Sequence, residues 1–509
     1  MPVYGEFVMR FEVVSERVSR VRADVLVLPC CAGRDGAAEM GPGCAEAAAA
    51  LGIDLTRTLR GRGCTGEVGD TFTTLTLGRL AAAELLVIGT GDGGPGAVRE
   101  AALRAAGEMT RGATIAAVLP AAGRHGQREL AAAFAEGLLL GGYRFDRYRH
   151  RPLTPDQRPP VTENVRVLTD AANVADVADV SAGLRRGQIV AELTNWVRDL
   201  VNASPSDSTP EDMAQRGREL AASHGLSCSV LTVPELRAGG FGGILGVGQG
   251  SRHEPRLVEL GYRGGEGPVI AMTGKGITFD SGGLSLKRDA EIEWMKSDMA
   301  GAATIMAVLR GVAELALPVT IEAAIPFAEN MPGGSAQRPG DVITHRGGRT
   351  SEVRDTDAEG RLIIADAVAY LAERGPATLV DVATLTDAAG LGEDLWAVLG
   401  TDERQIGELI EAGREAGDPG WRMPLPRSYR RYLTSAVADL RNTPAGVPDT
   451  TVMAATYLSE FTGGVPWMHI DNGSTAYLDR AGVLWPEGAT GSPVRALLRW
   501  VERFATKCR

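Results

Sequence analysis

Val269-Ile270-Ala271-Met272-Thr273-Gly274-Lys275-Gly276-Ile277-Thr278-Phe279-Asp280 lies near the middle of a chain of 509 residues. Val269 to Met272 is a short, unbroken apolar run, the pattern of a strand buried on both faces. It ends in a glycine-rich polar loop, Gly274 to Ser281-Gly282-Gly283-Leu284-Ser285-Leu286-Lys287, which continues to Met295-Lys296-Ser297-Asp298. Helical periodicity starts after Asp298 and runs to about Leu317. Strand, loop and helix in this order make an α/β unit. In open α/β sheets, ligands gather outside the carboxyl ends of the strands. Lys275 and Asp280 are therefore expected in a loop that leaves a strand, and Asp298 where a helix begins.

The same alternation extends toward the N-terminus. Val25-Leu26-Val27-Leu28-Pro29, Leu85-Leu86-Val87-Ile88-Gly89 and Ile115 to Leu119 read as buried strands, with helices over Glu39 to Leu51 and Val98 to Met109. Gly89-Thr90-Gly91-Asp92-Gly93-Gly94 follows a strand and could cradle a phosphate, but it lacks the dinucleotide spacing and reads more simply as a tight turn. His150 to Glu163 holds four prolines and several charges, the composition of a linker. A helical pattern runs from about Ala182 to Val201 and is broken by Asn202-Ala203-Ser204-Pro205-Ser206-Asp207. The expected organisation is an α/β domain over residues 1–150, a linker and connecting segment over 151–180, and a larger α/β domain over 181–509.

Composition narrows the function. Apolar residues at 44% and charged residues at 23% are the values of a core-forming globular chain. The net charge of −11 argues against a nucleic-acid surface, which needs an excess of Lys and Arg. No uncharged apolar run approaches the ~20 residues of a spanning helix, and Met1 to Glu6 carries no basic, then apolar leader. The six cysteines form no CxxC pair, so reduced thiols in a cytoplasm are expected.

A second chemical segment is Asp355-Thr356-Asp357-Ala358-Glu359-Gly360-Arg361, followed by a helical pattern from Leu362 to Glu373. Three acids within five residues repel one another, and a hard divalent cation relieves that repulsion. In extended backbone Asp357 and Glu359, two apart, would face the same side. An acidic turn that caps a helix is the plainer alternative for this segment alone.

Together the two segments resemble the leucyl aminopeptidase family of dinuclear-metal cytosolic exopeptidases. The family hallmark Asn-Thr-Asp-Ala-Glu-Gly-Arg-Leu is matched by Asp355 to Leu362 with one change. Glu329-Asn330-Met331-Pro332-Gly333-Gly334, Arg338-Pro339-Gly340-Asp341-Val342 and Ala383-Thr384-Leu385-Thr386 are similar too, as are Leu200-Val201-Asn202, Gly246 to Ser251 and Trp467-Met468-His469-Ile470-Asp471. The likeness covers residues 180–509; the first part resembles the family's macro-like α/β domain only loosely. It implies two domains, an N-terminal macro-like α/β domain and a larger catalytic α/β domain with a mixed central sheet.

Position by position, the resemblance implies that Lys275, Asp280, Asp298, Asp357 and Glu359 ligate two divalent ions (zinc or manganese, or magnesium), with Asp280 and Glu359 bridging. Lysine can ligate only when neutral, so its pKa would have to be depressed by the cations. Lys287 would polarise the scissile carbonyl, and Arg361 would hold a bicarbonate ion serving as base. Met295, Thr384, Leu385, Asp387, Gly473 and Ala476 would line the substrate pocket, and His469 is expected to be structural. The implied activity is removal of the N-terminal residue from peptides or dipeptides by a homohexamer in the cytoplasm. All seven ligand and catalytic positions are present, which speaks against a silent scaffold built on the same fold. Two departures stand out: Asp355 where Asn is usual and Asp387 where Gly is usual. These added carboxylates lead to the expectation of a polar, cationic or otherwise narrow substrate preference.

Overall fold

The computed structural model describes residues 9–110, 112–121, 123–149, 162–169, 174–288, 290–386, 390–482 and 485–507. The chain divides into two units, Met1–Glu192 and Leu193–Arg509.

In the first unit the strands are β1 (Arg10–Val14), β2 (Val25–Ala32), β3 (Ala38–Met40), β4 (Thr71–Leu75), β5 (Glu84–Gly89), β6 (Thr114–Val118) and β7 (Asn164–Leu168). They form one sheet in the order β1-β7-β6-β2-β5-β4, with β3 added to β2. The four inner pairings from β1 to β5, which are β1 with β7, β7 with β6, β6 with β2 and β2 with β5, are all parallel, while β4 and β3 pair antiparallel at the margins. The unbroken apolar runs of β2, β5 and β6 suit parallel strands covered on both faces. Their side chains divide between two cores, one built on Val25, Val27, Leu86 and Ile115, the other on Leu26, Leu28, Leu85 and Val87.

Three sequence expectations shift here. Glu39 lies in β3, not in a helix; that helix is Cys44–Leu51, because Gly41-Pro42-Gly43 separates it from a strand already paired with β2. The second helix begins at Pro95, where a proline costs nothing because the first helical N–H is unpaired in any case. The unit also continues past the expected border at residue 150. β7 falls within the segment read as linker, yet it pairs with both β1 and β6. Most of the proline-rich stretch itself, residues 150–161, lies outside the described residues. Gly89 to Gly94 forms a turn in which Gly93 N–H donates to Thr90 O and Gly94 N–H to Asp92 Oδ1.

In the second unit the strands are β8 (Ser227–Leu231), β9 (Arg256–Arg263), β10 (Val269–Gly274), β11 (Gly276–Asp280), β12 (Thr320–Asn330), β13 (Val342–Thr344), β14 (Thr350–Glu352), β15 (Thr378–Ala383), β16 (Trp396–Gly400), β17 (Gly420–Arg422), β18 (Leu440–Arg441), β19 (Trp467–Asp471) and the short pair β20 (Tyr477–Leu478) and β21 (Gly488–Ala489). The large sheet runs β17-β16-β19-β15-β10-β12-β9-β8, with β11 added to β12; β13, β14 and β18 form a small sheet. β12, β11, β10, β15 and β19 are parallel to their neighbours in the centre, while β9, β8 and β16 join antiparallel. This is the expected mixed sheet.

The helix Ala300–Glu314 is buried almost all round and packs on β10 and β15; the helix Gly360–Ala372 packs on β10, β12 and β15. The first of these stops at Glu314, short of the expected Leu317, because Ala316 turns left-handed at φ 49°. Leu362, Ile363, Ile364 and Val368 enter the core with Leu257, Ala271 and Leu379. The central parallel strands thus end together, and their carboxyl ends carry Lys275, Asp280, Asn330, Thr384 and Asn472.

Candidate metal centre

Lys275 follows β10 directly and is 3% exposed. Its backbone N–H donates to Val382 O on β15, which fixes the start of the side chain. The Nζ atom lies 2.7 Å from Asp298 Oδ1 and 2.7 Å from Glu359 Oε1, and donates to Thr384 O at 3.0 Å. Asp280 is the last residue of β11. Its Oδ1 accepts from Gly282 N–H at 2.9 Å and from Asn330 Nδ2 at 2.8 Å, and its Oδ2 lies 2.9 Å from Lys287 Nζ. Lys287 also reaches Asp357 Oδ1 at 2.7 Å. Asp280, Asp357 and Glu359 each present an oxygen within 4.8 Å of the others. The five residues expected as ligands, together with Lys287, therefore form one cluster.

The local backbone differs from the extended reading of Asp357 and Glu359. Asp355 Oδ1 accepts the Asp357 N–H at 2.9 Å, an Asx turn, and Glu359 is already helical ahead of Gly360–Ala372. The two carboxylates converge because the chain turns, not because they share one side of a strand. Asp355 is thus a turn residue through an oxygen that Asn would also supply.

Two oxygens in this cluster, Asp298 Oδ2 and Glu359 Oε2, are buried and accept no hydrogen bond. A buried carboxylate oxygen without a partner is costly, and a hard cation is the group that satisfies it without a further donor. Burial pushes the Asp298 and Glu359 carboxyls upward; Lys275 pulls back, but the neighbouring carboxylates add to the rise. Burial and the charges of Asp280 and Glu359 push Asp357 up to about 7. Burial alone would lower Lys275 and Lys287, yet the surrounding carboxylates outweigh it and raise both. The expected depression of Lys275 thus depends on the cations themselves: facing carboxylates alone, its ammonium is favoured. The donor set, hard oxygens with one amine, fits a divalent ion.

The substrate-side positions are partly drawn in. Thr384 Oγ1 donates to Asp298 Oδ1 at 2.7 Å, and Thr384 O holds Lys275. Leu385 N–H and Gly473 N–H both donate to Asp471 Oδ1. Gly473 admits no side chain, since a Cβ there would lie 1.6 Å from Thr386 O. Met295 and Ala476 neighbour the stacked pair Trp294 and Tyr477, whose centroids are 6.3 Å apart. Met295 O accepts from the Asp298 N–H at 3.4 Å, while Ala476 is bonded through its backbone to Asn472 and Thr490. Asp387 lies outside them. His469 is fully buried, with Nδ1 2.5 Å from Asp381 Oδ1 and its ring stacked on Trp467. That is the structural role expected of it.

Sequence reading missed a strap across the hallmark loop. Asn442 Oδ1 accepts from Arg354 N–H at 2.7 Å, its Nδ2 donates to Asp355 O at 2.6 Å, and its backbone O accepts from Arg361 Nη1 at 2.7 Å. The Arg361 guanidinium, expected to hold bicarbonate, is instead engaged by Asp449: Nη2 lies 2.9 Å from Oδ2, and Nη1 donates to Oδ1 at 3.1 Å. The available signal was the Pro- and Gly-rich run Asn442 to Asp449, a loop with polar residues at both ends.

The model of the cytosol aminopeptidase family's catalytic domain matches residues 195–498, and that of its N-terminal domain matches residues 35–152. The chain belongs to the cytosol aminopeptidase family. It is a metal-dependent aminopeptidase, a hydrolase. Among relatives, a probable cytosol aminopeptidase of Geobacter sulfurreducens is 37% identical over 95% of this chain and 99% of its own. A probable cytosol aminopeptidase of Mycobacterium ulcerans is 38% identical over 96% and 95%. Among solved structures, the bottromycin maturation enzyme BotP in complex with Mn superposes with a TM-score of 0.83 at 34% identity, covering 95% of this aminopeptidase and all of BotP. A tomato leucine aminopeptidase mutant superposes at 0.85 with 25% identity, covering 99% and 98%. No helix among the described residues is long and apolar enough to cross a membrane.

Proposed function

We propose that this aminopeptidase removes the N-terminal residue of peptides or dipeptides at a centre of two divalent ions held by Lys275, Asp280, Asp298, Asp357 and Glu359. The observation that carries this reading is the convergence of four carboxylates at the strand ends, with Asp298 Oδ2 and Glu359 Oε2 buried and unpartnered. When bound, the ions would activate water and polarise the peptide carbonyl.

The chain's own groups do the rest. Thr384 fixes Asp298 through its hydroxyl, and Asp298 is the carboxylate that would receive the free α-amine of the substrate. That requirement restricts cleavage to the first residue. Asn330 and the Gly282 N–H orient Asp280. Lys287 is the less buried of the two lysines, with its side chain 20% exposed against 4% for Lys275. It is the donor placed to stabilise the developing oxyanion. The assembly proposed is a homohexamer in the cytoplasm, supported by the family membership. Zinc, manganese and magnesium all suit this oxygen-rich set with one amine and no imidazole.

Hydrolysis of aminoacyl amides and dipeptides with apolar, basic, acidic and cysteinyl N-termini, after reconstitution with each metal in turn, tests the reading. Turnover that is abolished by chelation and restored by metal is expected. Activity confined to basic or cysteinyl N-termini would support a narrow preference tied to Asp387; a leading rate on leucine, unchanged in Asp387→Gly, would reject that preference. No turnover with any metal would reject the enzymatic reading itself.

A further inference from the structure

Arg361 opens the helix that follows the ligand loop, and its side chain is 3% exposed. Its guanidinium meets an anion of this chain, the Asp449 carboxylate, across both Nη atoms, and the remaining hydrogen of Nη1 goes to Asn442 O. A two-point carboxylate on a buried guanidinium is the geometry in which arginine binds planar oxyanions. Bicarbonate has the same planar O–C–O edge, so it would compete with Asp449 for the same hydrogens. The residues present therefore do not fit a resident bicarbonate on these atoms.

Asp449 is also placed at the site. Asn442, which caps Arg361, is bonded to the backbone of Asp355, two residues before Asp357. Thr451, two residues after Asp449, shares a hydroxyl–hydroxyl hydrogen bond with Thr386, next to the Thr384–Leu385 pair. The segment that carries Asp449 is thus tied to the ligand loop at Asn442 and to the substrate loop at Thr451. Unlike Arg361, Asp449 keeps contact with solvent, its side chain being 31% exposed.

We propose that Asp449 is the built-in catalytic base of this enzyme, occupying the anion seat of Arg361 in place of an external bicarbonate. The Asp449 carboxylate takes a proton from the attacking water as its oxygen bonds to the scissile carbonyl carbon and the carbonyl π pair moves to oxygen. When that pair returns and the C–N bond breaks, the protonated Asp449 gives the same proton to the leaving amine, so no co-reactant is consumed. This rests on the aminopeptidase reading above.

Two variants and two readouts test it. In carbonate-free buffer the native enzyme should keep its full rate, and added bicarbonate should leave it unchanged. Asp449→Gly should lose at least about 100-fold in kcat, the usual contribution of a positioned base, and recover part of it with bicarbonate. Asp449→Asn keeps the size and one acceptor for Arg361; it should lose a similar factor and resist rescue, because the seat stays filled. Independently of turnover, the carbon-13 line of labelled bicarbonate should broaden saturably with metal-free Asp449→Gly and not with metal-free native protein. The proposal falls if the native rate rises with bicarbonate, if native protein broadens the line as the glycine variant does, or if Asp449→Asn keeps native kcat. If native protein hydrolyses nothing with any metal, the aminopeptidase reading fails, and the bicarbonate line still decides whether Asp449 fills the seat.

Discussion

Gly360 lies in the hallmark loop where an alanine would look harmless. It is the first residue of the helix Gly360–Ala372, and alanine is favoured over glycine in a helix by up to about 1 kcal/mol. A Cβ at this position, however, would lie 2.5 Å from Lys275 Cε and 2.8 Å from both Cδ and Nζ. To go from 2.5 Å to ordinary contact at 3.4 Å, the lysine chain must retreat by 0.9 Å. Its ammonium is clasped at 2.7 Å by Asp298 and 2.7 Å by Glu359, so a retreat of that size takes at least one of these contacts beyond hydrogen-bonding reach. A lost bond to a charged group costs about 1.5–3 kcal/mol. Set against the helix gain, Gly360→Ala should destabilise the metal-free protein by about 1–2 kcal/mol. Because Lys275 is a proposed ligand, affinity for Mn²⁺ should fall by about 10- to 100-fold or more, the range seen when even an outer partner of a ligand is disturbed. Urea unfolding measures the first effect and isothermal titration of Mn²⁺ the second. A variant as stable as the native protein that binds Mn²⁺ within twofold of native would refute the reasoning, since Gly360 would then not be reserving space for Lys275.

Lys287→Met should lower kcat by about 10²–10³-fold with little change in KM, as for removal of an oxyanion donor; steady-state kinetics with the metal-loaded protein would contradict this by showing a KM effect alone. Asp355→Asn keeps the oxygen that accepts the Asp357 N–H and should leave unfolding within about 0.5 kcal/mol of native, whereas Asp355→Ala should lose about 1 kcal/mol. Equal losses in urea titrations of the two variants would deny the turn its role. His469 carries a pH signature: burial would lower it from 6.5, but Asp381 outweighs that and raises it. A raised histidine contributes stability that is complete below the unfolded pKa and is lost as pH rises through the folded one. The stability gap between native and His469→Gln should therefore shrink as pH rises above the unfolded imidazole pKa of about 6.5, and a gap that stays constant would show that the pair does not titrate as described.

What was legible in the sequence is what local pattern encodes. β2, β5, β6 and β10 are unbroken apolar runs, and such runs mark strands covered on both faces. Their order in space is set by long-range pairing, and no local pattern announces that β7 returns to lie between β1 and β6. β3 is only three residues long, too short for a period to show, and the helical pattern of Glu39 to Leu51 runs over it. In the site, the five expected ligands were recognisable through the resemblance of their segments to the aminopeptidase family, while local pattern placed those segments only at strand ends and helix starts. The hallmark loop was right in residue type and wrong in conformation: spacing alone could not show that Asp355 would fold its own carboxylate onto Asp357. Asn442 and Asp449 stayed hidden for a related reason. They are separated from Arg361 by 81 and 88 residues, and only the tertiary fold returns them to it.

The charge of the cluster explains why the site needs two lysines that behave differently. Asp280, Asp298, Asp357 and Glu359 face Lys275 and Lys287, so with all six groups ionised the cluster carries −2. On the proposed reading, two divalent ions bind and Lys275 gives up its proton, which takes the same groups to +1. The remaining charge is that of Lys287, the group needed for a developing oxyanion. The two amines are chemically identical, so their surroundings must decide which one becomes neutral. Lys275 is locked by burial and by three fixed acceptors, one of them the neutral Thr384 carbonyl. A neutral amine keeps two N–H donors and frees a lone pair, so it can still serve Thr384 O and one carboxylate while it ligates. Lys287 meets carboxylates alone and retains access to solvent, which favours the ammonium. Exchanging the burial of the two positions, more than altering either residue, would undo this division of labour.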